Sequence, residues 1–140
     1  MADATGLYRD ILLDHARHPR RSGRLEHPDL TGTAHNPLCG DRLEVTVALA
    51  DGTIQDLRGA VRGCVIAQAS CSLMAELVAG KPLAEALALG EALRLALDDP
   101  AASVPPSLEA LAPLVEVRRH RSRIGCALLP WQALADARKA

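Results

Sequence analysis

Leu43-Glu44-Val45-Thr46-Val47-Ala48-Leu49-Ala50-Asp51-Gly52-Thr53-Ile54-Gln55-Asp56-Leu57 is the stretch on which the fold turns. Leu43, Val45, Val47 and Leu49 alternate with Glu44, Thr46 and Ala48, the pattern of a strand with one buried face. Asp51-Gly52 is a strong hairpin signal, because both residues tolerate the positive φ that a tight primed turn needs. The return strand is expected to run through Ile54 and Leu57 to about Val61. Upstream, Leu30 to His35 reads as a further short strand, giving three antiparallel strands.

Outward from this block the pattern turns helical. On the N-terminal side, residues 6–18 read as an amphipathic helix with Leu7, Ile11, Leu12 and His15 at helical spacing, stopped by Pro19. A polar, basic link continues to about Pro28. On the C-terminal side, Val65, Ile66, Ala69, Leu73, Leu77 and Val78 form an apolar stripe that Gly80 and Pro82 end. Leu83 to Leu97 reads as a second Leu/Ala helix, and Ser107 to Leu114 as a short one. A last helix is expected to start near Cys126 and run to Lys139, with Pro130 in its first turn, where proline is tolerated. The order predicts one α+β domain over residues 1–140: an N-terminal helix, a three-stranded antiparallel sheet, then several helices packed on one face.

Apolar residues make up 49% of the 140 and Phe is absent, so a core is affordable only from Leu, Val, Ile and Ala. A formal net charge of −1 gives no electrostatic footprint for nucleic acid or an acidic membrane. The basic runs Arg17-His18-Pro19-Arg20-Arg21 and Arg118-Arg119-His120-Arg121 read as solvated faces. The start lacks the pattern of a signal peptide, and charges interrupt every Leu/Ala run, so a cytoplasmic protein is expected. In a reducing compartment, four cysteines point to metal ligation, reactive thiols or core packing rather than disulfides.

Three of those cysteines sit in unusual company. Asn36-Pro37-Leu38-Cys39-Gly40-Asp41 places a thiol and a carboxylate two residues apart in a loop, and Gly63-Cys64 and Gly125-Cys126 each put a cysteine after a glycine at an expected helix start. A thiol at a helix N-terminus meets the positive end of the dipole, which favours thiolate. Three thiols and one carboxylate complete a tetrahedral shell for zinc. The same set suits iron or an iron–sulfur cluster, or a nucleophile with attendants. Cys71 lies two turns beyond Cys64 on the same helix and reads as core. His15 reads as a hydrogen-bonded core histidine; His35 could approach the site; His120 reads as solvated.

Longer stretches narrow the choice. Leu7-Tyr8-Arg9, Asp14-His15, Pro19-Arg20, Asn36-Pro37-Leu38-Cys39-Gly40-Asp41, Gly63-Cys64-Val65-Ile66-Ala67-Gln68-Ala69-Ser70 and Arg123-Ile124-Gly125-Cys126-Ala127-Leu128-Leu129-Pro130-Trp131 together resemble the NifU N-terminal/IscU-type family of iron–sulfur assembly proteins. Within it the chain looks most like the SufU branch. The Asp98–Pro106 region falls where SufU-type chains carry an insert, the Leu-Pro-Pro-Val-Lys motif of IscU is missing, and Arg123 resembles the arginine of the SufU motif. Cys71, where a small residue is usual, and Gly125, where a basic one is common, depart from the pattern.

The resemblance implies a SufE/NifU-like fold and a zinc site made of Cys39, Asp41, Cys64 and Cys126. It also implies a zinc-dependent sulfurtransferase that accepts persulfide sulfur from a PLP-dependent cysteine desulfurase of the SufS type and passes it to a SufBCD-type scaffold. Zinc deprotonates its thiol ligands but ties up a lone pair, so the loop residue Cys39 is the expected sulfur acceptor, leaving the metal when a partner docks. Three thiolates and a carboxylate on zinc leave a net −2, which Arg123 could compensate. Two alternatives stand beside this reading: an IscU-type scaffold building a [2Fe–2S] cluster on the same ligands, and a helical interaction domain whose cysteines merely pack.

Overall fold

The structure, a computed structural model, describes residues 4–38 and 40–138. Helix α1 (Ala4–Arg17) leads through the polar link to strands β1 (Leu30–Asn36), β2 (Asp41–Ala50) and β3 (Thr53–Arg62), which pair antiparallel in that order. Asp51 and Gly52 take φ of 52° and 79°, the backbone a primed two-residue turn requires. The period-two pattern resolves as expected: Leu43, Val45, Val47 and Leu57 are buried on the face that helices cover.

Helices α2 (Val65–Val78) and α3 (Leu83–Asp98) follow the predicted spans. Gly80, at φ 88°, turns the chain out of α2, and its N–H donates to Ile54 O at 2.8 Å. The expected short helix is instead three brief pieces: a 3₁₀ turn at Pro106–Leu111, helix α4 (Ala112–Val115) and a 3₁₀ turn at Glu116–Arg119. Proline at 106 and 113 and the need to bury Leu108, Leu111, Leu114 and Val115 keep this segment from one regular helix.

The last helix departs from the sequence reading. Helix α5 spans Arg121–Arg138, so Pro130 lies in its interior and Cys126 in its second turn. Pro130 carries no N–H to donate to the carbonyl four residues earlier. Burial offsets that loss: Leu129, Pro130, Trp131, Ala133, Leu134 and Ala137 are all buried against the sheet and the other helices. Where α5 crosses β1 the backbones nearly touch. A Cβ on Gly32 would sit 2.0 Å from Ala133 O, and the Thr33 N–H donates to Asp136 Oδ2 at 3.0 Å.

Helix α1 packs on α2 through a polar seam. His15 is 7% exposed, and its Nδ1 lies 2.8 Å from Ser72 Oγ, which also accepts the Arg20 N–H at 2.9 Å. Ser72 Oγ thus bridges the His15 imidazole and the Arg20 backbone N–H. Burial, then the Arg20 cation, push the His15 pKa below its usual 6.5. Leu7, expected on the buried face, is exposed, because the contact face of α1 is set by Leu12 and His15.

The unfolded chain therefore takes up a proton at His15 more readily than the folded one. Its contribution to stability is complete above about pH 6.5 and is lost as pH falls through the lower folded value. Thermal unfolding followed between about pH 7.5 and 5.5 is expected to show a falling midpoint. That slope should flatten in His15→Gln; equal slopes in both proteins would remove His15 as its cause.

The link after α1 does two things. Arg21, at φ 53°, and Gly23 pair with the outer edge of β3, through Gly59 N–H to Arg21 O at 3.1 Å and Gly23 N–H to Gly59 O at 2.9 Å. The chain then crosses the helix-free face of the sheet, where the Leu25 N–H donates to Thr46 Oγ1 at 3.0 Å, and reaches β1. Thr46 is buried by this crossing.

Candidate metal centre

The site forms where β1, β2 and α2 begin or end. Asn36 and Asp41 are paired across the β1–β2 connection, residues 37–40. Asn36 Oδ1 accepts the Leu38 N–H at 3.1 Å, its carbonyl accepts the Gly40 N–H at 2.8 Å, and Gly40 takes a φ of 75° that other residues rarely adopt. Cys39 lies outside the described residues. Leu38, just before it, is 95% exposed.

Asp41 is the first residue of β2 and continues the inward row of Leu43, Val45 and Val47; it is 4% exposed. Its Oδ1 accepts the Cys64 N–H at 3.0 Å, so the carboxylate caps the start of α2. Gly63 permits this approach: a Cβ there would lie 2.7 Å from Asp41 Cγ. Gln68 Nε2 closes the turn by donating to Gly63 O at 2.9 Å. Cys64 is the extended N-cap residue of α2, as its sequence setting predicts.

Cys126 reaches the same point from α5 and is 1% exposed. Ser70 Oγ donates to Ala127 O at 2.6 Å, fixing α5 against α2 beside it. The expectation that Cys126 opens a helix is not met, whereas Cys64 does stand at a helix start.

One donor atom from each of Asp41, Cys64 and Cys126 lies within 4.8 Å of the others. Sulfurs bound about 2.3 Å from a tetrahedral zinc lie about 3.8 Å apart, so a small inward movement brings this set to bonding distance. The donor chemistry and spacing fit a borderline-soft divalent metal.

A cavity of about 740 Å³ opens onto Cys64 and is lined by Leu13, Val65, Ile66, His120, Ser122 and Arg123. Arg123 thus stands at the mouth, three residues before Cys126. His120 also lines the cavity and is exposed, as the sequence reading expected. Cys71 takes no part. Its thiol packs under β3, where a Cβ on Gly59 would meet Sγ at 2.2 Å, and burial pushes its pKa up to about 12, so it stays protonated and inert. His15 is held in the α1–α2 seam, and His35 lies on the other face of the sheet.

A family model described as the NifU-like N terminal domain matches residues 7–111. The chain belongs to the NifU-like N-terminal domain family. Over 133 residues it is 31% identical to the zinc-dependent sulfurtransferase SufU of Bacillus subtilis, covering 95% of this chain and 90% of that one. It is 33% identical over 133 residues to the iron–sulfur cluster assembly scaffold protein IscU of Streptococcus pyogenes, covering 95% and 83%. The crystal structure of the N-terminal part of a NifU-like protein from Brucella abortus superposes with a TM-score of 0.86 at 29% identity, over 97% of this chain and 94% of that one. The NifU-like match ends before Cys126, so the place of Cys126 beside Asp41 and Cys64 rests on α5 and the Ser70 contact.

No helix among the described residues is long and apolar enough to cross a membrane.

Proposed function

We propose that this protein serves iron–sulfur cluster biogenesis in the cytoplasm as a zinc-holding sulfur acceptor. Cys39, Asp41, Cys64 and Cys126 are its ligands. The observation that carries the reading is the convergence of Asp41, Cys64 and Cys126 within 4.8 Å, from three elements far apart in sequence. Cysteines that merely packed would have no reason to gather around a buried carboxylate. The SufU name of one relative supports zinc and sulfur transfer; the IscU name of the other supports the alternative, a scaffold on which a [2Fe–2S] cluster is the cargo.

Zinc, when bound, keeps its thiol ligands deprotonated at neutral pH. The residues do the rest. Asp41 fixes the start of α2 and with it Cys64. Cys39 is the acceptor: its thiolate attacks the outer sulfur of the desulfurase persulfide. A new S–S bond forms on Cys39, the donor's S–S bond breaks, and the donor cysteine leaves as thiolate, with no net redox change. Arg123, at the mouth, is placed to offset the negative charge of the persulfide. The exposed Leu38 and Val65, each next to a proposed ligand, form an apolar rim for the desulfurase to cover.

The test is turnover of a SufS-type cysteine desulfurase with and without this protein, beside metal analysis. Wild type should be colourless, carry about one zinc per chain and raise turnover. Cys39→Ala should bring turnover back to the desulfurase's own rate. Stimulation that survives in Cys39→Ala rejects the transfer mechanism, and a coloured protein that carries a cluster favours the scaffold.

A further inference from the structure

The helix-free face of the sheet carries a second site. The link crosses this face at Thr46 and reaches Glu44 through Arg24, and among the described residues the end nearer the metal centre stays open. There, register puts His35 beside Arg42 and Arg42 beside Arg62, one residue from each strand in a single row. Arg42 and Arg62 are exposed, and among the described residues neither has a carboxylate within ion-pair distance. Their basic neighbours are neutralised: Arg24 pairs with Glu44 at 2.9 Å, and Arg21 and Arg58 share Asp56 at 2.7 and 3.3 Å.

Like charges directly opposite on adjacent strands destabilise a sheet. A sheet face with polar alternation could carry threonine or a carboxylate at either position without loss. In a chain of net charge −1, two unneutralised arginines side by side mark a place where negative charge is meant to arrive.

The surface there is also concave. A cavity of about 500 Å³ lies over the row, lined by His35, Arg42 and Arg62 and by the Arg24–Glu44 pair. Its floor includes Thr33 and Ala60, the cross-strand neighbours of Glu44, whose short side chains leave the depression. A hollow of this size, edged by two uncommitted guanidinium forks from adjacent strands, suits a compact ligand rather than a flat protein surface. Arg42 and Arg62 stand one inter-strand gap apart, about 4.8 Å, so a ligand with two or more anionic groups engages both arginines at once.

We infer that this open end of the sheet face, formed by Arg42 and Arg62 with His35 beside them, binds a small polyanion bearing phosphate or carboxylate groups. The site is distinct from the metal centre: Arg42 follows Asp41 and Arg62 precedes Gly63, but alternation turns the arginines to the opposite face. A ligand here would occupy the same end of the sheet without covering Cys64.

Isothermal titration of the intact protein with pyrophosphate and, separately, with citrate tests this, against sodium chloride of equal ionic strength. At least one anion is expected to give saturable heat; the tighter one identifies phosphate or polycarboxylate as the ligand chemistry. Arg42→Ala/Arg62→Ala should bind about 100-fold more weakly, since each of the two lost charge-assisted hydrogen bonds is worth about 10-fold. Arg62→Lys, which keeps the charge and loses the fork, should fall between the two. Arg94→Ala, whose arginine pairs with Glu91 on α3, should bind as wild type. Zinc content should not change in any of them. The double variant removes exposed, mutually repelling groups, so its unfolding midpoint should not drop. Heat no greater than the chloride control with both anions, or equal affinity in wild type and the double variant, overturns the assignment.

Discussion

Gly32→Val is expected to leave the protein largely unfolded at 37 °C, and Gly32→Ala to lower the denaturation midpoint steeply. The Cβ of either residue would meet Ala133 O at 2.0 Å, Ala137 N at 2.6 Å and Ala137 Cβ at 2.8 Å. Two of those atoms are backbone of α5, which cannot swing aside as a side chain could. Relief requires lifting the helix off β1, which uncovers the buried Ala133 and Ala137 and breaks the Thr33–Asp136 hydrogen bond. Overpacking ordinarily costs about 1–3 kcal/mol, and backbone displacement with lost burial takes it beyond about 4 kcal/mol, a large share of the 5–15 kcal/mol by which a domain is typically stable. Gly6→Ala is the control: nothing lies within 4 Å of a Cβ there, and alanine is the better helix former. Circular dichroism against urea reads both, and a wild-type midpoint in Gly32→Ala refutes the contact.

The second large effect is expected at Cys64. Under the proposed ligand set, Cys64→Ala should lose zinc to a chelator at more than about 100-fold lower concentration than wild type, because even outer-shell changes cost 10- to 100-fold. The metal-dependent rise in unfolding temperature should vanish with it. Cys71→Ala should keep its metal, since that thiol is buried elsewhere and protonated. Asp41 separates two roles. Asp41→Asn keeps an acceptor for the Cys64 N–H and should weaken metal retention with little change in metal-free stability. Asp41→Ala should do both, losing about 1 kcal/mol of helix capping as well. Metal analysis after graded chelator, beside melting curves of the metal-free proteins, distinguishes these outcomes; unchanged zinc stoichiometry in Asp41→Asn strikes Asp41 from the ligands.

The parts of this structure that local chemistry determines were legible in the chain. Period-two alternation in β2, the Asp51-Gly52 turn, and the Gly80 and Pro82 stop after α2 depend on residues a few positions apart, and each was readable from a short window. Cys64 at the head of α2 was legible for the same reason. The start of α5 was not, because Pro130 is a strong local signal for a first turn, and only burial against β1 and α2 overrides it. That one displacement carried an error with it: a helix start assigned to Cys126, which lies in the second turn. The convergence of Asp41, Cys64 and Cys126 needed either the family resemblance or the tertiary structure, since the residues show no metal-ligand spacing of the C-x2-C kind. The arginine row was equally hidden. Arg42 and Arg62 lie 20 residues apart, and nothing short of the strand register sets them side by side.

The link that pairs with β3 has a consequence for self-association. A three-stranded sheet has two borders at which another chain could add a strand, and unpaired borders seed aggregation. Arg21 and Gly23 occupy hydrogen-bonding positions along β3 at Gly59, so that border is sealed midway by the chain itself. Strand addition is left the β1 border alone, where Asp136 of α5 already holds the Thr33 N–H, so stacking into extended ribbons through both sides is blocked.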